Sequence, residues 1–429
     1  MRYMARVVRI KQVFPIEGKD KIQKANFNEH GYEAIISKNL NVGDSVVWIE
    51  ADSILPVKPQ WEFLRKRCYN EKVNGFLIKP MTMAKVKSWG LVVTFEEAGI
   101  TNEAKMLHAG DDITELLGIK KYEPIEDASP KKKEKTKNSK LLCFLLDHVL
   151  TRWIGKLILF HKKKLLEKEN AFKGFPEYLI SKSDEETIQN HLDYLTTYAE
   201  ESVYVTAKME GQSVTACFDY DKDKKKIGKF FVCSRNNAYR TEISNRFWEF
   251  AKDNDIEIKL KDYYNQTGKL ICLQAEQCGP GIQQNIYNFK KTKWFVYSMK
   301  NEITGNQLSY METTEICKKF GLDVVPLLEY KVKLKEIMPT IEEAVSYASN
   351  RCFSYNKEGE LVQLKLNENK DKELWKNIFM NEGIVVRSID YDKDKNIGCS
   401  FKVKNIEYAE KGLGKISSAV KSFLTSIKV

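Results

Sequence analysis

Over the first 125 positions, apolar and polar residues alternate in short runs. The segments ARVVRIKQVFPI (5–16) and DSVVWIEAD (44–52) are β-branched with a period of two, the pattern of half-buried strands, and NVGDS (41–45) supplies a turn before the second. GFLIKPMTMAKVKSWGLVVTF (75–95) predicts two more strands, and short strands at this spacing predict a small β-barrel. The pattern then breaks. ASPKKKEKTKNSK (128–140) is poor in apolar residues and rich in lysine, which reads as a solvated connector or a mobile basic arm. An apolar run (141–160) and a second basic run, HKKKLLEKEN (161–170), follow it. From 171 onward strands and helices mix: ISNRFWEFAKDN (243–254) has helical spacing, while LICLQAEQ, KWFVYSM, EGIVVRSID and CSFKVKN read as strands. The expected class is α+β, in three segments: 1–125, 126–170 as a connecting insert, and 171–429.

The run LLCFLLDHVLTRWIGKLILF (141–160) has the length of a membrane span. Asp147, His148, Arg152 and Lys156 interrupt it, so an amphipathic helix fits better than stable insertion. The chain carries 70 Lys+Arg against 59 Asp+Glu, a net charge of +11 that favours a polyanionic partner without naming one. Nine scattered cysteines form no C-x-x-C pair and only five histidines accompany them, which argues against a zinc site or a disulfide framework. With MRYMARVVRI at the start in place of a signal peptide, an intracellular, reducing setting is expected.

The candidate chemistry centres on VYVTAKMEGQSVTACF (203–218). Val203, Val205 and Ala207 alternate before Lys208; Val214, Ala216 and Phe218 alternate after it; Lys208-Met209-Glu210-Gly211 forms the loop between two strands. A lysine at the edge of a core becomes a nucleophile when burial and neighbouring cations push its pKa down, and that depression is expected here. Four islands follow in order: Ser234 and Arg235 in VCSRNN; Glu276 and Gln283 in LQAEQCGPGIQQNIY; Tyr297 in KWFVYSM; and Glu382 with Arg387 in EGIVVRS, then Lys402 and Lys404 two apart on one strand face in SFKVKN. Each has an ordinary structural explanation on its own; the ordered set favours function.

Together these segments resemble the motifs of the covalent nucleotidyltransferases, which comprise DNA ligases, RNA ligases and mRNA capping enzymes. Lys208-Met209-Glu210-Gly211 is similar to the K-x-D-G motif, and the nearest likeness is to ATP-dependent RNA ligases of the RNA ligase 2 and RNA ligase 5 groups. AEQCGPGIQQN and FPEYLISKSDEETIQN resemble the former; PIEGKDKIQKA, VGDSVVWIEADSILP and EFLRKRC resemble the N-terminal OB domain of the latter. The resemblance implies an N-terminal OB-type β-barrel followed by an adenylyltransferase domain built on antiparallel sheets. It implies that Lys208 attacks the ATP α-phosphorus and carries AMP, that Arg235 contacts ribose or the RNA end, and that Tyr297 stacks on adenine. Glu276 would bind ribose and, with Glu210 and Glu382, hold the waters of Mg2+ or Mn2+. Lys402, Lys404 and the cation Arg387 would serve the phosphate, and Gln283 the later steps. Three positions depart from the family pattern: Glu210 stands for the usual Asp, Ser298 where an acid often ends a motif, and Arg387 for Lys.

Only 25 residues follow Lys404, too few for the OB domain that comes after this motif in DNA ligases and capping enzymes. The expected activity is therefore ATP-dependent RNA ligation, joining 3′-OH and 5′-phosphate ends, at nicks in RNA or RNA/DNA duplexes, by a monomer. An inactive nucleic-acid-binding relative and a DNA ligase are the alternatives. Trp48, Trp61 and Trp89 are candidates for stacking on nucleic acid, with a core role as the competing reading.

Overall fold

The computed structural model describes residues 3–83, 86–122, 171–172, 174–178, 180–182, 185–221, 223–239, 245–357, 361–365, 374–375, 378–405 and 423–426. The expected insert at 126–170, with its apolar run, lies outside them. Among the described residues no helix is long and apolar enough to cross a membrane.

One long strand, Ala5–Pro15, organises the N-terminal domain. Its first half pairs antiparallel with Ser45–Glu50 and its second half with Ile22–Phe27, and a register shift between Ile10 and Gln12 marks the change of partner. Glu33–Ser37 and Gly90–Val93 form the two ends of this five-stranded sheet. A 3.0 Å hydrogen bond from the Trp89 N–H to the Glu33 carbonyl draws those ends together into a nearly closed barrel. The region 75–95 holds four short strands where two were expected: Gly75–Leu77, Met81–Met83, Val86–Ser88 and Gly90–Val93. Pro80, which offers no N–H, stands between the first two.

Both faces of the sheet are buried. Val8, Ile10, Val46 and Trp48 fill the barrel with Phe27, Tyr32 and Trp89, while Ala5, Val7, Val47 and Ile49 pack outward on Trp61 and Phe76. This decides the role of the tryptophans. Trp48, Trp61 and Trp89 are 1%, 0% and 6% exposed, so they are core and cannot stack on a nucleic acid.

His30 sits among these rings, 4.4 Å from Trp48 between centroids, and its Nδ1 accepts from the Tyr32 N–H. Burial, and then Arg6, hold its pKa well below 6.5. The folded barrel therefore keeps His30 neutral while the unfolded chain protonates below about pH 6.5. Stability contributed by the neutral ring is present above that pH and is lost as pH falls through it. Thermal melts should show a stability loss between about pH 7 and pH 5 that is reduced in His30→Gln; equal slopes for both proteins would count against this.

The second domain is built on two antiparallel sheets. The larger has seven strands, in which Gln212–Asp221 lies between Lys226–Ser234 and Ile271–Cys278, followed outward by Lys293–Asn301. One face is covered by helices. Asn245 caps Arg246–Asp253 by accepting from the Phe247 and Trp248 N–H groups, and Phe247, Trp248 and Ala251 bury the helix against Val214, Ala216, Leu273 and Val296. The smaller sheet runs Leu327–Lys333, Ser202–Lys208, Gly383–Ser388, Ser400–Lys404. Its Val203, Val205, Ala207, Ile384, Val386, Phe401 and Val403 form a second core with Ala344 and Ala348 of the helix Ile341–Ser349. The alternation that buries these residues turns Thr206, Lys208, Arg387, Lys402 and Lys404 to the opposite face.

One segment contacts both domains. Residues 186–190 lie beside Lys402, whose N–H donates to the Glu186 carbonyl at 2.7 Å. From the barrel, the Gly31 N–H donates to the Gln189 carbonyl at 2.9 Å and Arg6 Nη2 to Asn190 Oδ1 at 2.7 Å.

Candidate active site

The strand register places two of the expected residues, Lys208 and Lys404, in one row with Gly383 between them. Lys208 lies opposite Gly383, and Gly383 lies opposite Lys404. Gly383 presents no side chain between the two lysines, and none fits: a Cβ there would stand 2.3 Å from the Val403 carbonyl oxygen. Lys402 occupies the next row on the same face, opposite Val385.

Lys208 ends its strand with Nζ 2.5 Å from Glu382 Oε1, and the two side chains are 28% and 29% exposed. Burial lowers the amine's pKa, as the sequence led us to expect, but Glu382 and Glu276 raise it more, with Arg235 opposing them. The net shift is upward, so the expected depression is corrected: here the amine is held protonated and aimed by carboxylates. Glu276 is at the opposite pole. Burial pushes its pKa up to about 8; Lys208 and Arg235 lower it, while Glu382 and Glu210 add to the rise. Arg235, Glu276, Glu382, Glu210 and Lys208 thus share one electrostatic neighbourhood.

Glu210 is 5% exposed, and its carboxylate accepts from the Gln284 N–H at 2.8 Å and the Ile286 N–H at 3.3 Å. It anchors the turn after the Glu276 strand. Arg246 Nη1 holds the same turn by donating to the Gly281 carbonyl at 2.7 Å. Gln283 rides exposed at its tip with φ of 45°. Gly211 is fixed by packing, since a Cβ there would meet the Gln277 carbonyl oxygen at 2.5 Å and Glu276 Cγ at 2.9 Å.

Tyr297 is placed by a bulge. Gln274 pairs with Ser298 and Ala275 with Val296, so Tyr297 is the extra residue of the bulged strand. Phe295 and Tyr297 face away from Trp294 and Val296 by ordinary strand alternation, and the Tyr297 hydroxyl meets Ser213 Oγ at 3.2 Å. Arg387 joins the sheets: Nη1 donates to the Tyr297 carbonyl at 2.9 Å and Nη2 to Glu185 Oε1 at 2.7 Å. Burial opposes ionisation of Glu185, but Arg387 and Ser400 outweigh it and bring its pKa down. Arg387 is 5% exposed and committed to this network, which makes it a tie between the sheets. Sequence reasoning missed Glu185, Ser213, Arg246 and Gly383, because their roles depend on neighbours distant in the chain.

Lys404 Nζ pairs with Asp52 Oδ2 of the barrel at 3.2 Å. Both groups are partly solvated, so the pair contributes at most about 1 kcal/mol. Asp52→Asn should leave the melting temperature within a few degrees while changing the KM for ATP, because Lys404 then has one fewer competitor for phosphate. An unchanged KM would detach this contact from nucleotide binding.

A lysine facing carboxylates between two antiparallel sheets, behind an OB barrel, defines a nucleotidyltransferase-type ligase fold. Residues 201–404 match the RNA ligase family and residues 4–95 an OB-fold domain family. The chain carries an RNA ligase family domain joined to an N-terminal OB-fold domain. Among solved structures, a Naegleria gruberi RNA ligase mutant with ATP and Mn matches with a TM-score of 0.68 at 21% identity, over 96% of this chain and 98% of that one. A second mutant of that ligase, with AMP and Mn, matches with a TM-score of 0.68 at 22% identity, over 96% and 99%. The same ligase with PPi gives 0.67 at 22%, over 96% and 99%. At such identities the likeness speaks for the fold. No curated protein matches the sequence.

Proposed function

We propose that the chain is an ATP-dependent RNA ligase that joins 3′-OH to 5′-phosphate ends, at nicks in RNA or RNA/DNA duplexes, through a Lys208–AMP intermediate. The observation that carries this reading is the Lys208 amine held 2.5 Å from Glu382 in a row with Lys404. Lys208 Nζ attacks the α-phosphorus of ATP; the N–P bond forms, the bond to the bridging oxygen breaks, and pyrophosphate leaves. Glu382 Oε1 is in place to take the amine proton. Lys402 and Lys404 line the same sheet face, where fixed cations favour the extra negative charge on the α-phosphate as the bond forms. Tyr297 offers an aromatic face to the purine and Arg235 a donor to ribose or the RNA end, with Gln283 serving the later steps.

The acids fit a divalent cation. Burial and the neighbouring Glu382 raise the cost of ionising Glu276, an arrangement that Mg2+ or Mn2+ held largely through water would relieve. Glu210, an acceptor-only carboxylate in the same electrostatic neighbourhood, would join them. The bound ion supplies positive charge that offsets the carboxylates and so lowers the cost of a neutral Lys208. AMP then passes to the 5′-phosphate of the RNA, and the 3′-OH displaces it. The ribose 2′-OH, both donor and acceptor, gives the site a means of preferring RNA at that end.

The test is sealing of a nicked duplex with ATP and Mn2+, using either RNA or DNA on the 3′-OH side. Sealing that favours the RNA 3′-end supports the reading. Equal sealing of both would make the chain a DNA ligase as well, and no sealing of nicks or single-stranded ends by folded protein would leave a nucleic-acid-binding relative.

A further inference from the structure

A second cluster of chemically capable side chains lies on the large sheet, away from Lys208. The pairing of Ala216 with Leu273 puts Cys217 across from Cys272 on adjacent strands. Glu302 follows the next strand, fixed by its N–H to the Leu270 carbonyl at 2.8 Å. One ligand atom from each of Cys217, Cys272 and Glu302 lies within 4.8 Å of the others. Both thiols are fully buried and Glu302 is 5% exposed. Cys272 and Glu276 point to the same side of one strand, about 13 Å apart at ~3.3 Å per residue.

Glu302 is the unexplained group. Among the described residues neither of its carboxylate oxygens has a hydrogen-bond partner of good geometry, although the Phe218 backbone N–H is close enough to lower its pKa. Lys300, whose charge lowers the pKa of Glu302, is itself paired with Asp394. Burial, then Cys217 and Asp219, push its pKa up to about 9. Protonation removes the charge but creates an O–H donor that faces only the weak acceptors of the two cysteine sulfurs. A buried acid in this condition, facing two thiols, is the donor set of a metal site rather than of an apolar core.

We propose that Cys217, Cys272 and Glu302 bind a thiophilic divalent cation, zinc being the ion whose ligand preferences fit best. Two thiolates and a carboxylate within one ion's reach give three of the four ligands zinc takes. Asp219, two residues along the Cys217 strand and on the same face, is the nearest further acid. Cys233 is next to Cys217 but lies outside the three-residue cluster. The two thiols lose their protons on binding, and the ion joins three strands of the sheet that carries Glu276. The oxygen-only acids around Lys208 suit Mg2+ or Mn2+, so the two sites are told apart by their chemistry.

The test uses the full chain, kept reduced, stripped with chelator and titrated with Co2+ and then Zn2+. We expect one equivalent of Co2+ to bind with thiolate-to-cobalt charge-transfer absorption, Zn2+ to displace it, and Cys217→Ser and Cys272→Ser each to abolish the band. Glu302→Gln, which keeps both thiols, should retain metal more weakly. No band in the unsubstituted chain, or a band that survives both serine substitutions, would overturn the site. If a serine variant does not fold, X-ray absorption of the zinc-loaded unsubstituted chain decides. Two sulfurs at about 2.3 Å with oxygens at about 2.0–2.2 Å support it, and any other sulfur count refutes it.

Discussion

Lys208→Ala protein incubated with ATP labelled at the α-phosphate, with Mg2+ or Mn2+, should carry no label after denaturation, whereas the unsubstituted chain should. The loss is expected to be complete because the proposed intermediate is a bond to that one nitrogen. Lys404, in the same row, is paired with Asp52 and sits two strands away. Alanine also leaves Glu382 and Glu276 without their shared cation, so Lys208→Arg is the informative companion. Arginine keeps a positive charge for both acids, but its guanidinium does not deprotonate to a nucleophile. Both variants should fold, neither should be labelled, and the label on the unsubstituted chain should be released by acid and survive alkali, as a phosphoramidate does. Label retained by Lys208→Ala would remove Lys208 from the chemistry.

Gly383→Ala should be the most damaging single methyl group in the cleft. Its Cβ would lie 2.3 Å from the Val403 carbonyl oxygen and 3.2 Å from Lys404 Cα, both backbone atoms of the neighbouring strand. The strand pair must separate to admit it. Overpacking of this kind costs about 1–3 kcal/mol. The functional cost should be larger than the stability cost, because Lys404 moves with its strand, and a displacement near 1 Å can slow a reaction roughly 100-fold. The measurement is the adenylylation rate of folded Gly383→Ala at saturating ATP, beside its melting temperature. A fully active variant would show that the row Lys208–Gly383–Lys404 is not the catalytic frame.

Much of this frame was legible in the sequence. The strands around Lys208, Glu276, Tyr297 and Lys402 announce themselves by alternation, and the helix Arg246–Asp253 by its spacing. What escaped was decided by pairings between distant residues. The upward shift at Lys208 comes from Glu382, 174 positions later, in a loop whose placement no local pattern specifies. The role of Arg387 depends on Glu185, and the contact of Tyr297 with Ser213 on a strand distant in sequence. In the barrel, strands buried on both faces gave the tryptophans the composition of a stacking surface and the environment of a core.

The shared segment at 186–190 makes the two domains poor candidates for separation. It pairs with the Lys402 strand on one side and receives Arg6 and Gly31 of the barrel on the other. An excised catalytic half would lose more than a grip on nucleic acid; it would also lose the buttress behind its phosphate-facing lysines. Such a fragment should be slow even with ATP as its only substrate, and exchanging barrels between relatives should succeed only when this seam is exchanged with them.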